Sequence, residues 1–271
     1  MTYSQDTLQK VAATLAAVEE RYPVKSVGAL LTVSNPKVNK GATERGYFPA
    51  VLHLAPASMS GANVCTWSST DCTIGCLNTS GRGGAGLDAS GWNKIQASRI
   101  RRTAAMILDP VGFSARLRAE ITLHALNAAA AGLTPAIRLN GTSDVTWHRI
   151  FPEILAHTID AGAILYDYTK RPIPDAAQHG VDLTYSYPGG RGVAARRYLE
   201  AGHRVAVVFA TRKGAPLPHY WRAPWGDTYR VIDGDAHDLR FLDAGGVIVG
   251  LRAKGNMRGK VGTQHGFLQN P

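Results

Sequence analysis

A chain of 271 residues, 45% hydrophobic and 18% charged, is long enough to bury a full core without disulfides, which excludes the small cross-linked secreted scaffolds. A net charge of +10 favours a polyanionic partner or an anionic substrate, although the charge is spread along the chain instead of forming one basic block. No apolar run approaches the roughly 18 residues of a membrane span, so no membrane partner is expected.

Residues 4 to 21 read as an amphipathic helix with Leu8, Val11, Leu15 and Val18 on one face, ended by Pro23 and unlike a signal or transit peptide. "SVGALLTVS" reads as a strand and "NPKVNKGATERG" as a loop, which closes an N-terminal extension over residues 1–47. From residue 48 a repeating order begins. The apolar strand "VLHLAPAS" leads into a cysteine loop, and one helical stretch runs from Trp92 to about Ala131 with a break near Pro110. "TPAIRLNG", "AILYDYTK", "VDLTYSYPGG" and "HRVAVVFATR" are further strands, with helices "WHRIFPEILAHTIDAG" and "GVAARRYLEAG" between them. After the excursion "KGAPLPHYWRAPWGD" come two more strands, "TYRVIDGD" and "GGVIVGLRAKG", and a basic tail over 256–271.

Strands rich in Val, Ile and Leu with helical crossovers predict an α/β fold built on a parallel sheet. Residues 48–255 are expected to form a partial or full TIM-like barrel of about six strands, with the cysteine loop after its first strand. A doubly wound open sheet is the alternative, since periodicity does not report closure. Polar residues gather at the strand ends: Arg138 and Asn140, then Asp144, then Tyr168 and Lys170, then Tyr185, and finally Arg252 and Lys254. In a parallel barrel these ends share one mouth with the cysteine loop.

That loop, "CTWSSTDCTIGCLNTSGRGG", contains all three cysteines of the chain, Cys65, Cys72 and Cys76, in a C-x6-C-x3-C spacing. Three thiolates can hold three corners of a [4Fe-4S] cluster and leave the fourth iron to another ligand, while Gly81, Gly83 and Gly84 let the backbone wrap closely around such a group or an anion. Zinc is a competitor, but structural zinc sites take four protein ligands, and the nearest histidine, His53, lies twelve residues upstream. Unligated thiols are the remaining possibility. The odd cysteine number fits a reducing, cytoplasmic setting.

A three-cysteine loop directly after the first strand of a parallel α/β barrel resembles the radical S-adenosylmethionine superfamily, whose usual spacing is C-x3-C-x2-C. The chain departs from that spacing, and "RLNGTSD" stands where a Gly-Gly-Glu stretch is expected, so S-adenosylmethionine is expected to bind weakly or not at all. The cysteine loop, "RLNGTSDVTW", "YDYTK", and "DGDAHDLRFLD" followed by "IVGLRAKG" more closely resemble uncharacterised bacteriophage proteins of the family labelled gene product eighty-eight, across about residues 48 to 255. The resemblance implies an iron-sulfur barrel in the cytoplasm of an infected bacterium, and no particular reaction.

Two functions compete. In the first, a redox or radical enzyme uses the cluster, Arg138 and Lys170 fix an anionic group, and Asn140, Asp144, Tyr168 and Tyr185 complete a pocket. In the second, a module without turnover binds nucleic acid or senses redox state, with phosphate-binding charge from "RIRRT", "ARRY" and the tail and with Trp221 and Trp225 stacking on bases. A zinc hydrolase needs a base that the loop does not supply.

Overall fold

A computed structural model describes residues 3–24, 26, 28–33, 39, 42–254 and 266–271. Helix α1 (Gln5–Arg21) starts at Ser4, whose hydroxyl accepts the Thr7 N–H at 3.2 Å. It buries Val11 and Val18, the latter against Ala97 and Ile100 of α3 (Lys94–Leu108), so the N-terminal extension packs on the main body. Between these helices lie β1 (Leu31–Thr32), β2 (Tyr47–Leu52) and the short α2 (Thr70–Ile74). The helix read as one with a break is two, because Pro110 opens α4 (Pro110–Ala130), where its missing N–H has no intrahelical partner to lose, and Asp109 caps it.

The order then runs β3 (Thr134–Arg138), α5 (Trp147–Ile150), α6 (Pro152–Asp160), β4 (Ile164–Thr169), β5 (Val181–Ser186), α7 (Val193–Glu200) and β6 (Arg204–Phe209). A hairpin of β7 (Tyr220–Arg222) and β8 (Thr228–Asp233) follows, then β9 (Ile248–Arg252) and β10 (Leu268–Gln269). Of the basic tail expected over 256–271, residues 256–265 lie outside the described residues, and the remainder supplies β10.

These strands form one ten-stranded sheet in the order β1-β2-β3-β4-β5-β6-β9-β8-β7, with β10 joined to β6 beyond the end of β5. Pairing is parallel from β2 through β8 and antiparallel only at the two edges, β1 with β2 and β7 with β8. The two edges do not meet, so the expected parallel α/β sheet is present but the partial or full TIM-like barrel is corrected to an open, mostly parallel sheet. The reason is visible in the topology. A closed barrel of this kind repeats the strand-helix unit eight times, whereas here helical crossovers cease after β6 and antiparallel strands end the sheet on both sides.

Strand order runs without reversal from β2 to β6 and α4, α6 and α7 pack on one face of these strands, which also separates this fold from a doubly wound sheet. Ala50, Leu52, Ile137 and Leu165 meet Leu117, Ile121 and Ile154 of α4 and α6, and Leu183, Val205, Val207 and Ile248 meet Tyr198 and Leu199 of α7. Side-chain alternation turns Ala136, Arg138, Tyr166, Tyr168, Thr184, Ser186 and Val208 to the opposite face. Part of that face is covered by residues 238–243, with Leu239 and Phe241 against Tyr166.

Candidate functional site

The cysteine loop leaves the sheet earlier than its apolar sequence suggests. β2 ends at Leu52, and Leu54 and Ala55 continue as fully buried loop, held by a bond from Ala55 N–H to the Thr103 hydroxyl at 2.8 Å. Ala57 then adopts φ +46°, a left-handed conformation unusual for a residue with a side chain. This turn aims the Ala57 N–H at the Cys65 sulfur, 3.3 Å away. Ser69 caps α2 by accepting the Cys72 N–H at 3.2 Å, which places Cys72 in the helix and Cys76 just beyond its end. Two consecutive turns follow, and they need glycine: a Cβ on Gly84 would lie 1.9 Å from the Thr79 carbonyl oxygen, and one on Gly83 would lie 2.4 Å from that of Asn78.

All three thiols line one cavity of about 220 Å³ at the carboxyl ends of the parallel strands. Arg138, Asn140, Asp144, Tyr168, Lys170, Arg252 and Lys254 share its wall. Tyr185 does not, because it projects to the helix face and stacks on Tyr198 with ring centroids 4.8 Å apart. Gly81, Gly83 and Gly84 also lie outside the wall, and their turns pack the loop on itself through Asn93 and Gln96, whose amides bond the Gly83 carbonyl at 3.2 and 2.7 Å.

Within the wall the residues have distinct tasks. Asn140 organises the backbone: its Oδ1 accepts from the Ser143 hydroxyl, the Val145 N–H and the Trp147 indole N–H at 2.9 to 3.1 Å. Gly141 passes so close to His53 that a Cβ there would sit 2.4 Å from its Nδ1. Arg138 is paired with Asp238 at 2.6 Å and its guanidinium lies 5.0 Å from the Tyr168 ring centre. Arg252 pairs with Asp233 and Asp235, and Lys254 with Asp235. Asp144 accepts from the Thr169 hydroxyl and the Lys170 N–H, both at 2.8 Å. The Lys170 ammonium donates to the Ser186 hydroxyl at 2.7 Å and carbonyl at 3.0 Å, and it stands 5.1 Å from the Phe267 ring centre.

The electrostatics follow from burial. Desolvation pushes the Cys65 thiol up to about 11 and raises Cys76 as well, with neighbouring thiols adding in the same direction, so burial favours the neutral form of these two. Burial also lowers Lys170, an effect opposed by the charges of Cys72, Asp144, Cys76 and Cys65. That mutual influence shows the three sulfurs and the ammonium to be electrostatic neighbours. Among the described residues, no three His, Cys, Asp or Glu side chains are gathered as a ready metal site. The donor set still suits a soft metal: three thiols on one wall, an N–H aimed at one sulfur, and a cation beside them.

Several participants gave no signal in the sequence. Asp238, the partner of Arg138, lies 100 residues away, and Ser186 and Phe267 come from β5 and the C-terminus. Asp167, a polar strand-end residue in the sequence, stands behind the cavity wall and accepts the Asn140 and Tyr168 N–H groups, and burial pushes it up to about 8. Conversely, the arginines of "RIRRT" are engaged in the fold: Arg99 with Asn78, Arg101 with the Tyr22 carbonyl and Arg102 with the Ala29 carbonyl. Trp221 is 4% exposed, and Trp225 packs over Gly192.

A family model described as Gene product 88 matches residues 29–270. No curated protein and no solved structure matches the chain. No helix among the described residues is long and apolar enough to cross a membrane.

Proposed function

We propose that this chain, which belongs to the Gene product 88 family, holds a [4Fe-4S] cluster through Cys65, Cys72 and Cys76 and acts as a redox or radical enzyme on a small molecule in the adjoining cavity. The observation that carries the reading is the gathering of every thiol in the chain on one cavity wall, beside the half-buried Lys170 ammonium. A cluster with three protein thiolates supplies a one-electron couple and one iron open to a further ligand. The chain's own residues do the remaining work. The Ala57 N–H stabilises the Cys65 sulfur, and the Arg138–Asp238 pair together with Tyr168 lines the same cavity. Asp144 fixes the backbone from which Lys170 projects.

S-adenosylmethionine is no part of the proposed chemistry, because the C-x6-C-x3-C spacing and "RLNGTSD" depart from the motifs of that superfamily. The deciding experiment is anaerobic purification with iron and sulfide analysis, then spectroscopy of the reduced protein. About four irons with matching sulfide per chain are expected, and loss of both in Cys72→Ala. Zinc without sulfide overturns the reading.

A further inference from the structure

Among the described residues, every cation of the cavity wall except Lys170 is paired with a carboxylate. Arg138 has Asp238 at 2.6 Å, Arg252 has Asp233 at 2.8 Å, and Lys254 has Asp235 at 2.5 Å. Lys170 has no carboxylate within 4.0 Å among the described residues. Asp144, the carboxylate beside it, spends one oxygen on the Thr169 hydroxyl and the other on the backbone N–H of Lys170 itself. The ammonium is held by Ser186 and the face of Phe267, both uncharged. A half-buried cation on a cavity wall without an ion-pair partner is costly unless an anion arrives to meet it.

We propose that the cavity takes a small organic monocarboxylate whose carboxylate pairs with Lys170, and this rests on reading the same cavity as the functional site. The number of free cations selects the charge. One ammonium balances one negative charge, whereas a phosphate dianion calls for further cations or several free N–H donors, and the other cations here are already neutralised. The hydroxyls nearby are also committed, with Ser68 donating to the Cys65 carbonyl, Thr142 to that of Leu54 and Ser143 to Asn140 Oδ1. The rest of the wall selects an apolar body, since Leu77, Tyr168, Val208, Leu251 and Phe267 supply hydrocarbon and ring surface. Arg138, expected with Lys170 to fix an anionic group, and Asn140 are engaged by Asp238 and by the local backbone.

The test is isothermal titration of the full metal-free chain with hexanoate, hexanamide and inorganic phosphate. Hexanoate is expected to bind at least about tenfold more tightly than hexanamide, the effect of one charge-assisted contact. Lys170→Met abolishes that preference while hexanamide binding persists, and Lys170→Arg retains part of it. Equal binding of acid and amide, no binding of either, or tighter binding of phosphate overturns the inference. Iron and sulfide content measures the cluster reading separately.

Discussion

Replacing Asp238 by Asn is the most direct probe of how the wall is built. Asp238 is almost fully buried, with its side chain 2% exposed against 14% for that of Arg138, and the two meet at 2.6 Å. The substitution keeps the shape and removes the charge, leaving a guanidinium whose remaining contacts are the Gly141 carbonyl at 3.2 Å and the Tyr168 ring. Arg138 Nε already lacks a partner, so the site has no spare acceptor to take up the loss. Breaking a buried pair from one side costs about 3–5 kcal/mol, a large share of the roughly 5–15 kcal/mol that holds a domain together. Removing both charges, as in Arg138→Met with Asp238→Leu, is expected to cost much less than the single change, because the desolvation of both ions disappears along with their attraction. Urea unfolding followed by circular dichroism gives the three free energies and a coupling expected to exceed about 2 kcal/mol. A cost below about 1 kcal/mol for Asp238→Asn, or simple additivity in the double variant, refutes the reasoning.

Asp167 gives a pH signature. Burial raises it from 3.8 to about 8, against the pull of Arg138 and of two backbone N–H donors. Between those values the folded state holds a proton that the unfolded chain has released, so this carboxyl makes stability fall as pH rises through that window. Asp167→Asn should flatten the fall in urea midpoint between about pH 5 and about pH 8, and an unchanged slope refutes the assignment. In the cysteine loop, Gly84→Ala should cost about 1–3 kcal/mol through its clash with Thr79, although its φ of −101° suits any residue. Gly81→Ala, at φ +58° with open space around it, should cost only the backbone strain of about 1 kcal/mol, so thermal melts that rank the two in reverse contradict the packing. Asn140→Ala strips three buried donors of their acceptor and should cost about 3 kcal/mol, and a melt within experimental error of the parent rejects its organising role.

What the sequence disclosed depended on the range of the interaction involved. Apolar runs spaced by helical segments are local, and they announce β3, β4, β5 and β6 and the parallel sheet. Cys65, Cys72, Cys76 and Lys170 stand at strand ends or in the loop between them, so their convergence follows from parallel order alone. Closure is not local. Whether the sheet curls into a barrel was decided by β9 inserting between β6 and β8, a choice made by pairing partners far apart in sequence. Charge partners are hidden for the same reason. Nothing near Arg138 in the chain marks Asp238 as its counter-ion, and nothing in "RIRRT" shows that its arginines turn inward to bond Asn78, Tyr22 and Ala29. Tyr185 failed to join the cavity by a single step of side-chain alternation, since its neighbour Ser186 is on the wall.

The two faces of the sheet obey different physics, and the cavity exists because of that difference. On the helix face Val, Leu and Ile meet α4, α6 and α7, and burial is satisfied by shape. The opposite face carries Arg138, Tyr166, Tyr168, Thr184 and Ser186, which burial penalises unless each polar group finds a partner. Among the described residues, none of α4, α6 and α7 packs on this face. Its counter-charges are delivered by residues 233–243, which bring Asp238 to Arg138, and Asp233 and Asp235 to the cations at the end of β9 and just beyond it. That segment ends in contact with Tyr166 and does not supply a carboxylate to Lys170, where the thiol loop arrives instead. The one stretch of the polar face left without its own counter-charge is therefore the stretch that meets the three thiols. A site at which both cluster ligation and anion binding are proposed thus arises from a single topological fact, the end of helical crossovers after β6.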